Sequence, residues 1–285
     1  MSISRFCSAR SATICVLLLS VVFESPLAAQ SAGVRKGGVE ARGAFEGGGS
    51  SQISSDGVER RNNVIKATAL RPRFPEGSQC EPISSPFGSA TRYDGSYRRG
   101  DRNSGLHGGM DISLREGTPL LAIAAGEVIA SGEGGRLEGF FIWLRHSPDD
   151  TDLPFWTYSK YQHLLKQSEL QIGARINVGE VIALSGGTGT VGGHYGSSGY
   201  PHLHLTTFYS NESVYSVRGV YNSMVFVKQS VMGDPLLLYT SGLKDLDDLR
   251  AFSGKEYVDV GIVDSKGAIS PSGSKRVWPV SCRKQ

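Results

Sequence analysis

Pro201-His202-Leu203-His204-Leu205 is the stretch that decides how this chain is read. In a strand, side chains two apart share a face. His202 and His204 then stand side by side, while Leu203 and Leu205 anchor the opposite face in a core. The sequence around them supplies the rest of a β architecture. From Thr118 onward, short apolar runs alternate with glycine turns: 119–124, 127–130, 140–144, 156–161, 181–184 and 202–208, with 224–227 and 235–239 continuing the pattern. Such punctuation predicts a mainly β, mostly antiparallel domain with little helix.

Length and composition bound the remainder. The 285 residues, 39% hydrophobic and 20% charged, suit a globular chain of one or two domains. A formal net charge of +3 gives no reason to expect nucleic acid as a partner. At the N-terminus, Arg5 and Arg10 precede an uncharged run over 13–23, and small residues follow to Ala29. This is the layout of a secretory signal peptide over 1–29. The run is short for a membrane span, so membrane contact is expected only through an uncleaved signal. The chain is therefore expected to be periplasmic or secreted.

Cleavage there leaves two cysteines, Cys80 and Cys282, one at each end of the folded part. In an exported protein that pairing predicts a disulfide. Residues 30–79 are rich in Gly, Ser and Arg and read as a flexible linker or a pro-segment. A domain over 80–240 follows, opening with a compact apolar lead-in and a polar, arginine-bearing loop that runs to Gly105. The tail, 241–285, carries Leu243, Leu246, Leu249 and Phe252 at three-residue spacing after a candidate cap at Ser241. This predicts one amphipathic helix, then a strand over 257–264, packed back on the domain.

The histidines carry the chemistry. His107-Gly108-Gly109-Met110-Asp111 sets an imidazole four residues before a carboxylate, with glycines that let the backbone bend. Zinc takes nitrogen and oxygen ligands, and catalytic sites use three protein ligands with one position open. His107, Asp111 and His204 make such a set. Two neutral imidazoles and one carboxylate leave the ion net positive, able to acidify a water and polarise a carbonyl. There is no His-Glu-x-x-His motif, so proton transfer falls to His163, within Tyr161-Gln162-His163-Leu164, and to His202. His146 reads as a structural histidine. His194 reads as a surface-loop residue, with substrate contact as the second reading. Asp149, Asp150 and Asp152 read as a solvated loop, and the glycine-rich stretch 186–200 lacks the Gly-Lys-Ser/Thr ending of a phosphate cradle.

Taken in order, His-x-Gly-x-Asp, Tyr-x-His-Leu and Pro-His-Leu-His resemble the lysostaphin-type (LytM-like) zinc endopeptidases of peptidoglycan. The resemblance runs over 85–237 and includes Ser85-Pro86-Phe87-Gly88 and Asp234-Pro235. It implies Zn2+ on His107, Asp111 and His204, and catalytic roles for His163 and His202. It implies an antiparallel sheet of the barrel-sandwich hybrid type (a duplicated hybrid motif), with the site in a groove between loops. The implied reaction is hydrolysis of peptide bonds in peptidoglycan stems or cross-bridges by a zinc-activated water. The implied partners are peptidoglycan peptide and other cell-wall enzymes. The alternative is a non-catalytic LytM-like module that binds the wall or activates another wall hydrolase. The chain departs from the family pattern at Leu205-Thr206, where Phe-Glu is usual, and at Tyr200, where Gly precedes the proline. Its 186–200 loop is longer, and 147–155 looks inserted. These departures bear on substrate preference.

Overall fold

The centre of the molecule is a strand that begins at His202, and the rest of the sheet is assembled on its two sides. The computed structural model describes residues 65–100, 103–192, 194–219, 221–254 and 256–284. The expected signal peptide and linker residues 30–64 lie outside the described residues. The first strands are β1 (Arg71–Arg73), β2 (Ser78–Gln79), β3 (Ile83–Ser85), β4 (Met110–Ser113), β5 (Pro119–Leu121), β6 (Gly126–Glu133) and β7 (Phe140–His146). A helical turn, α1 (Pro148–Thr151), leads to β8 (Trp156–Leu164), β9 (Arg175–Ile176), β10 (Val181–Leu184) and β11 (His202–Ser210). Then come β12 (Tyr215–Arg218), β13 (Met224–Val227), β14 (Val231–Gly233), helix α2 (Leu246–Ala251), β15 (Tyr257–Asp259), β16 (Ile262–Val263), β17 (Ile269–Ser270) and β18 (Arg283–Lys284).

The main sheet runs β3-β4-β11-β8-β7-β6-β9, with β14 also on β11, and all its pairings are antiparallel. In it Leu203 lies opposite Ile112 and Leu205 opposite Met110, as the alternation predicts. These four join Ile142, Leu144 and Tyr161 in the larger buried cluster. Phe141, Trp143, Tyr158 and Phe208 belong to a second cluster, built from the alternate positions of the same strands. A sheet covered on both faces reads as continuous apolar sequence, which is why 140–144 shows no alternation. Each large apolar side chain so buried contributes about 1.5–3 kcal/mol.

The tail packs back on the domain. β15 pairs in parallel with β1, β18 pairs with β2, and a disulfide joins Cys80 to Cys282. Trp278 is fully buried, edge-on to Phe74 at 5.1 Å between ring centroids. No helix among the described residues is long and apolar enough to cross a membrane.

Four expectations are corrected. The linker does not run to residue 79: Ile65, Thr68 and Leu70 are buried, and 71–73 form β1, because the tail supplies a partner strand that local composition cannot reveal. Residues Pro235–Tyr239 are a 3-10 helix, not a strand; Asp234 caps it by accepting from the Leu236 N–H, and Pro235 presets the first turn. The tail helix starts at Leu246 because Asp245, not Ser241, accepts the free N–H groups of Asp247 and Asp248. The 147–155 segment is not a solvated loop throughout. Asp150 is buried, closes a capping box with Ser147 and pairs with Arg175.

Candidate metal centre

The register of β4 and β11 does the first part of the assembly. His204 lies directly opposite Asp111, and His202 opposite Ser113. The turn before β4 delivers His107, and Gly109 lets it close. A Cβ at Gly109 would sit 2.6 Å from the Leu205 carbonyl oxygen and 2.7 Å from the His204 ring. Only glycine fits there.

Three donor atoms converge. His204 Nδ1 lies 2.8 Å from Asp111 Oδ1. His107 Nε2 lies 3.1 Å from His204 Nδ1 and 3.2 Å from Asp111 Oδ1. Ligands at 2.0–2.1 Å on a tetrahedral ion stand about 3.3 Å apart. The triangle therefore fits the face of such a coordination shell, slightly drawn in.

The outer partners fix each donor. His107 Nδ1 donates to the Pro86 carbonyl at 3.0 Å, which leaves the lone pair of Nε2 to face the triangle. His204 Nε2 donates to Thr206 Oγ1 at 3.0 Å, which leaves Nδ1. Arg98 holds the other carboxylate oxygen of Asp111 at 3.4 Å and donates to Ser85 Oγ at 2.8 Å. Partners of this kind set ring orientation and ligand basicity. Burial pushes the His107 imidazolium down, against the pull of Asp111, so the ring is neutral. Burial pushes the Asp111 carboxyl up, but contacts with His107, His204 and His202 outweigh it and hold the group well below its ordinary value. Neutral imidazole and ionised carboxylate are the states a metal ligand needs.

Two further imidazoles stand beside the triangle. His163 sits where β8 slips register: Phe140 faces Leu164 and Phe141 faces Gln162, so His163 has no partner on β7. Its φ of +61° is the left-handed conformation of a bulge that re-aims one side chain. His163 Nδ1 donates to the Thr188 carbonyl at 2.8 Å, and His202 Nδ1 to the Tyr200 carbonyl at 2.8 Å. Each ring keeps Nε2 as a lone-pair nitrogen. The His202 Nε2 is 3.8 Å from Asp111 Oδ1, and the rings of His163 and His202 are 4.6 Å apart. Burial lowers both pKa values, that of His163 furthest, with His202 and His204 adding to the effect.

All five residues expected from the sequence thus line one cleft of about 830 Å³. His146 lies elsewhere, sealed between the Ala125 carbonyl and Ser159 Oγ. His194 reaches the cleft rim and pairs with Asp94 at 2.7 Å. Sequence reasoning missed Arg98, Thr188 and Thr206. Arg98 was visible only as part of an arginine-bearing loop. Thr206 stood out as a departure from the resemblance, without its role.

Known proteins resemble this chain in part. Residues 105–216 match the model of Peptidase family M23. An "Uncharacterized metalloprotease" of Haemophilus influenzae is 35% identical over 134 residues, 46% of this chain and 23% of that protein. "Peptidoglycan DD-endopeptidase ShyC" of Vibrio cholerae is 33% identical over 99 residues, 34% of this chain and 19% of that protein. The chain thus spans about a quarter of the length of the curated relatives it matches, or less. Among solved structures, the catalytic domain of lysostaphin from Staphylococcus simulans aligns over 55% of this chain and 90% of its own, at 24% identity and a TM-score of 0.34.

Proposed function

We propose, for a chain whose residues 105–216 match the model of Peptidase family M23, that it is an exported zinc-dependent endopeptidase hydrolysing peptide bonds in peptidoglycan stems or cross-bridges. The observation that carries this reading is the triangle of His107, Asp111 and His204, with mutual donor distances of 2.8–3.2 Å, beside two imidazoles whose Nε2 atoms are unspent. The donor set of two imidazoles and one carboxylate suits zinc. Bound there, zinc supplies Lewis acidity at the scissile carbonyl.

The chain's own residues do the rest. Arg98, Pro86 and Thr206 orient Asp111 and the rings of His107 and His204 by hydrogen bonds to the atoms that face away from the triangle. His163 and His202 are neutral at pH 7 because burial disfavours their charged forms. Between them, the two Nε2 atoms can accept a proton from the attacking water and return one to the departing amine. An imidazolium N–H formed in the first step would also be a donor for the developing oxyanion. The Cys80–Cys282 disulfide and the N-terminal layout of 1–29 support this reading of an exported protein, periplasmic or secreted.

The test is clearing of purified cell wall by the zinc-loaded protein, with and without chelator, and mass analysis of the released fragments. Chelator-sensitive release of cut stem or bridge peptides is expected. Wall binding without any release would sink the hydrolase reading and leave the non-catalytic one.

A further inference from the structure

Tyr200, where the chain departs from the family pattern just before Pro201, touches His202 in two ways. Its carbonyl accepts from His202 Nδ1 at 2.8 Å, and its ring lies on the imidazole at 4.7 Å between centroids and 25° between planes. Any residue supplies the carbonyl; only an aromatic one supplies the stack. The Tyr200 ring also meets that of Tyr93, at 4.1 Å and 12°. Two rings so near and so nearly parallel cannot share one face of a third, so Tyr200 is sandwiched between Tyr93 and His202. Polar contacts hold the sandwich. Tyr200 OH shares a hydrogen bond with Ser113 Oγ, and Ser113 lies opposite His202 on the neighbouring strand β4. Tyr200 N–H donates to Thr190 Oγ1 at 2.8 Å. The loop that brings Tyr93 is fastened to the 186–200 loop by Asp94 and His194, 2.7 Å apart.

The last torsion of a histidine side chain is broad, and one hydrogen bond restrains an edge of the ring while its plane can still tilt. A ring packed flat on that plane removes the freedom, and stacked pairs contribute beyond their buried area. Proton transfer needs the lone pair of Nε2 aimed closely at its target. We infer that Tyr200 is a positioning residue for His202: its ring sets the plane of the imidazole and so the aim of Nε2, and Tyr93 is the outer plate that keeps Tyr200 in place. The consequence for turnover rests on the peptidase reading above; the placement of the ring does not.

The test compares Tyr200→Leu, Tyr200→Phe and Tyr93→Leu with the unmodified zinc-loaded full chain on purified cell wall. Tyr200→Leu should lower kcat by about two- to tenfold, the scale of one ring–ring contact, with KM and zinc content unchanged. Tyr200→Phe keeps the ring and should recover most of that loss. Tyr93 is 46% exposed, so Tyr93→Leu spares the fold and should give a smaller loss in the same direction. Ring-proton NMR shifts of His202, assigned against His202→Ala, are read on the same proteins without substrate. The stack should hold them upfield in the unmodified chain; Tyr200→Leu should move them downfield, and Tyr200→Phe should leave them. Full kcat in Tyr200→Leu, equal losses in the Leu and Phe variants at Tyr200, or His202 shifts that none of these variants moves overturns the inference. Shifts that move as expected in a protein that never cuts wall overturn the peptidase reading and leave the placement of His202 standing.

Discussion

Strands β7 and β8 carry an imidazole at each end of their ladder, and the two ends behave differently. At one end His146, opposite Thr157, is wholly inaccessible; its Nδ1–H donates to the Ala125 carbonyl and its Nε2 accepts from Ser159 Oγ. At the other end His163 falls on the register slip and spends only Nδ1, on the Thr188 carbonyl. Burial depresses both pKa values, to about 4 for His146 and well below the ordinary value for His163. A perturbed pKa therefore does not separate the histidine proposed to move protons from the structural one. The separating feature is a nitrogen left over and turned to a cleft.

That contrast can be broken most sharply at the ligands. His107→Ala or His204→Ala should empty the protein of zinc by elemental analysis and drop wall hydrolysis to background. His146→Gln should retain one zinc per chain. Zinc lost equally from all three would erase the distinction. Next in size, His163→Ala and His202→Ala should keep the metal and lose turnover by about 10²–10⁴-fold, the usual yield of positioned acid–base groups. Full turnover in either variant would remove that residue from the proton path.

The sealed end makes its own prediction, in stability. The folded pKa of His146, about 4, lies below the free value of 6.5. Between those values the unfolded chain holds the extra proton, so stability is full above pH 6.5 and is lost as pH falls toward 4. The loss amounts to about 3 kcal/mol. Urea unfolding at a series of pH values should show this slope, and His146→Gln should flatten it. An unchanged slope would mean that other groups carry the acid sensitivity. Smallest is the effect of sealing a ligand's second nitrogen. Thr206→Val removes the acceptor for His204 Nε2, and zinc affinity by competitive chelation should fall about 10–100-fold. Equal affinity would show that the strand alone sets the His204 tautomer.

Much of this was legible in residue order. The alternation through Leu203 and Leu205 set both the register and the facing of His202 and His204, because a period of two leaves a strand one choice. The His107–Asp111 spacing with its glycines was readable for the same local reason. The motif order added the link between these pieces and His163. What stayed hidden was non-local. Nothing around Arg71 announces β15 as its partner, nothing near Thr188 announces that its carbonyl holds His163, and Arg98 gives no sign of Asp111. Caps were missed where several Asp and Ser residues competed for one role, as Ser241 and Asp245 did.

The bond from Cys80 to Cys282 has a sequence separation of 202 and encloses the whole working part of the chain. A single cut in any exposed loop between those residues therefore yields no loose fragment. The nicked molecule remains one covalent body, its halves still interleaved through β4, β8 and β11.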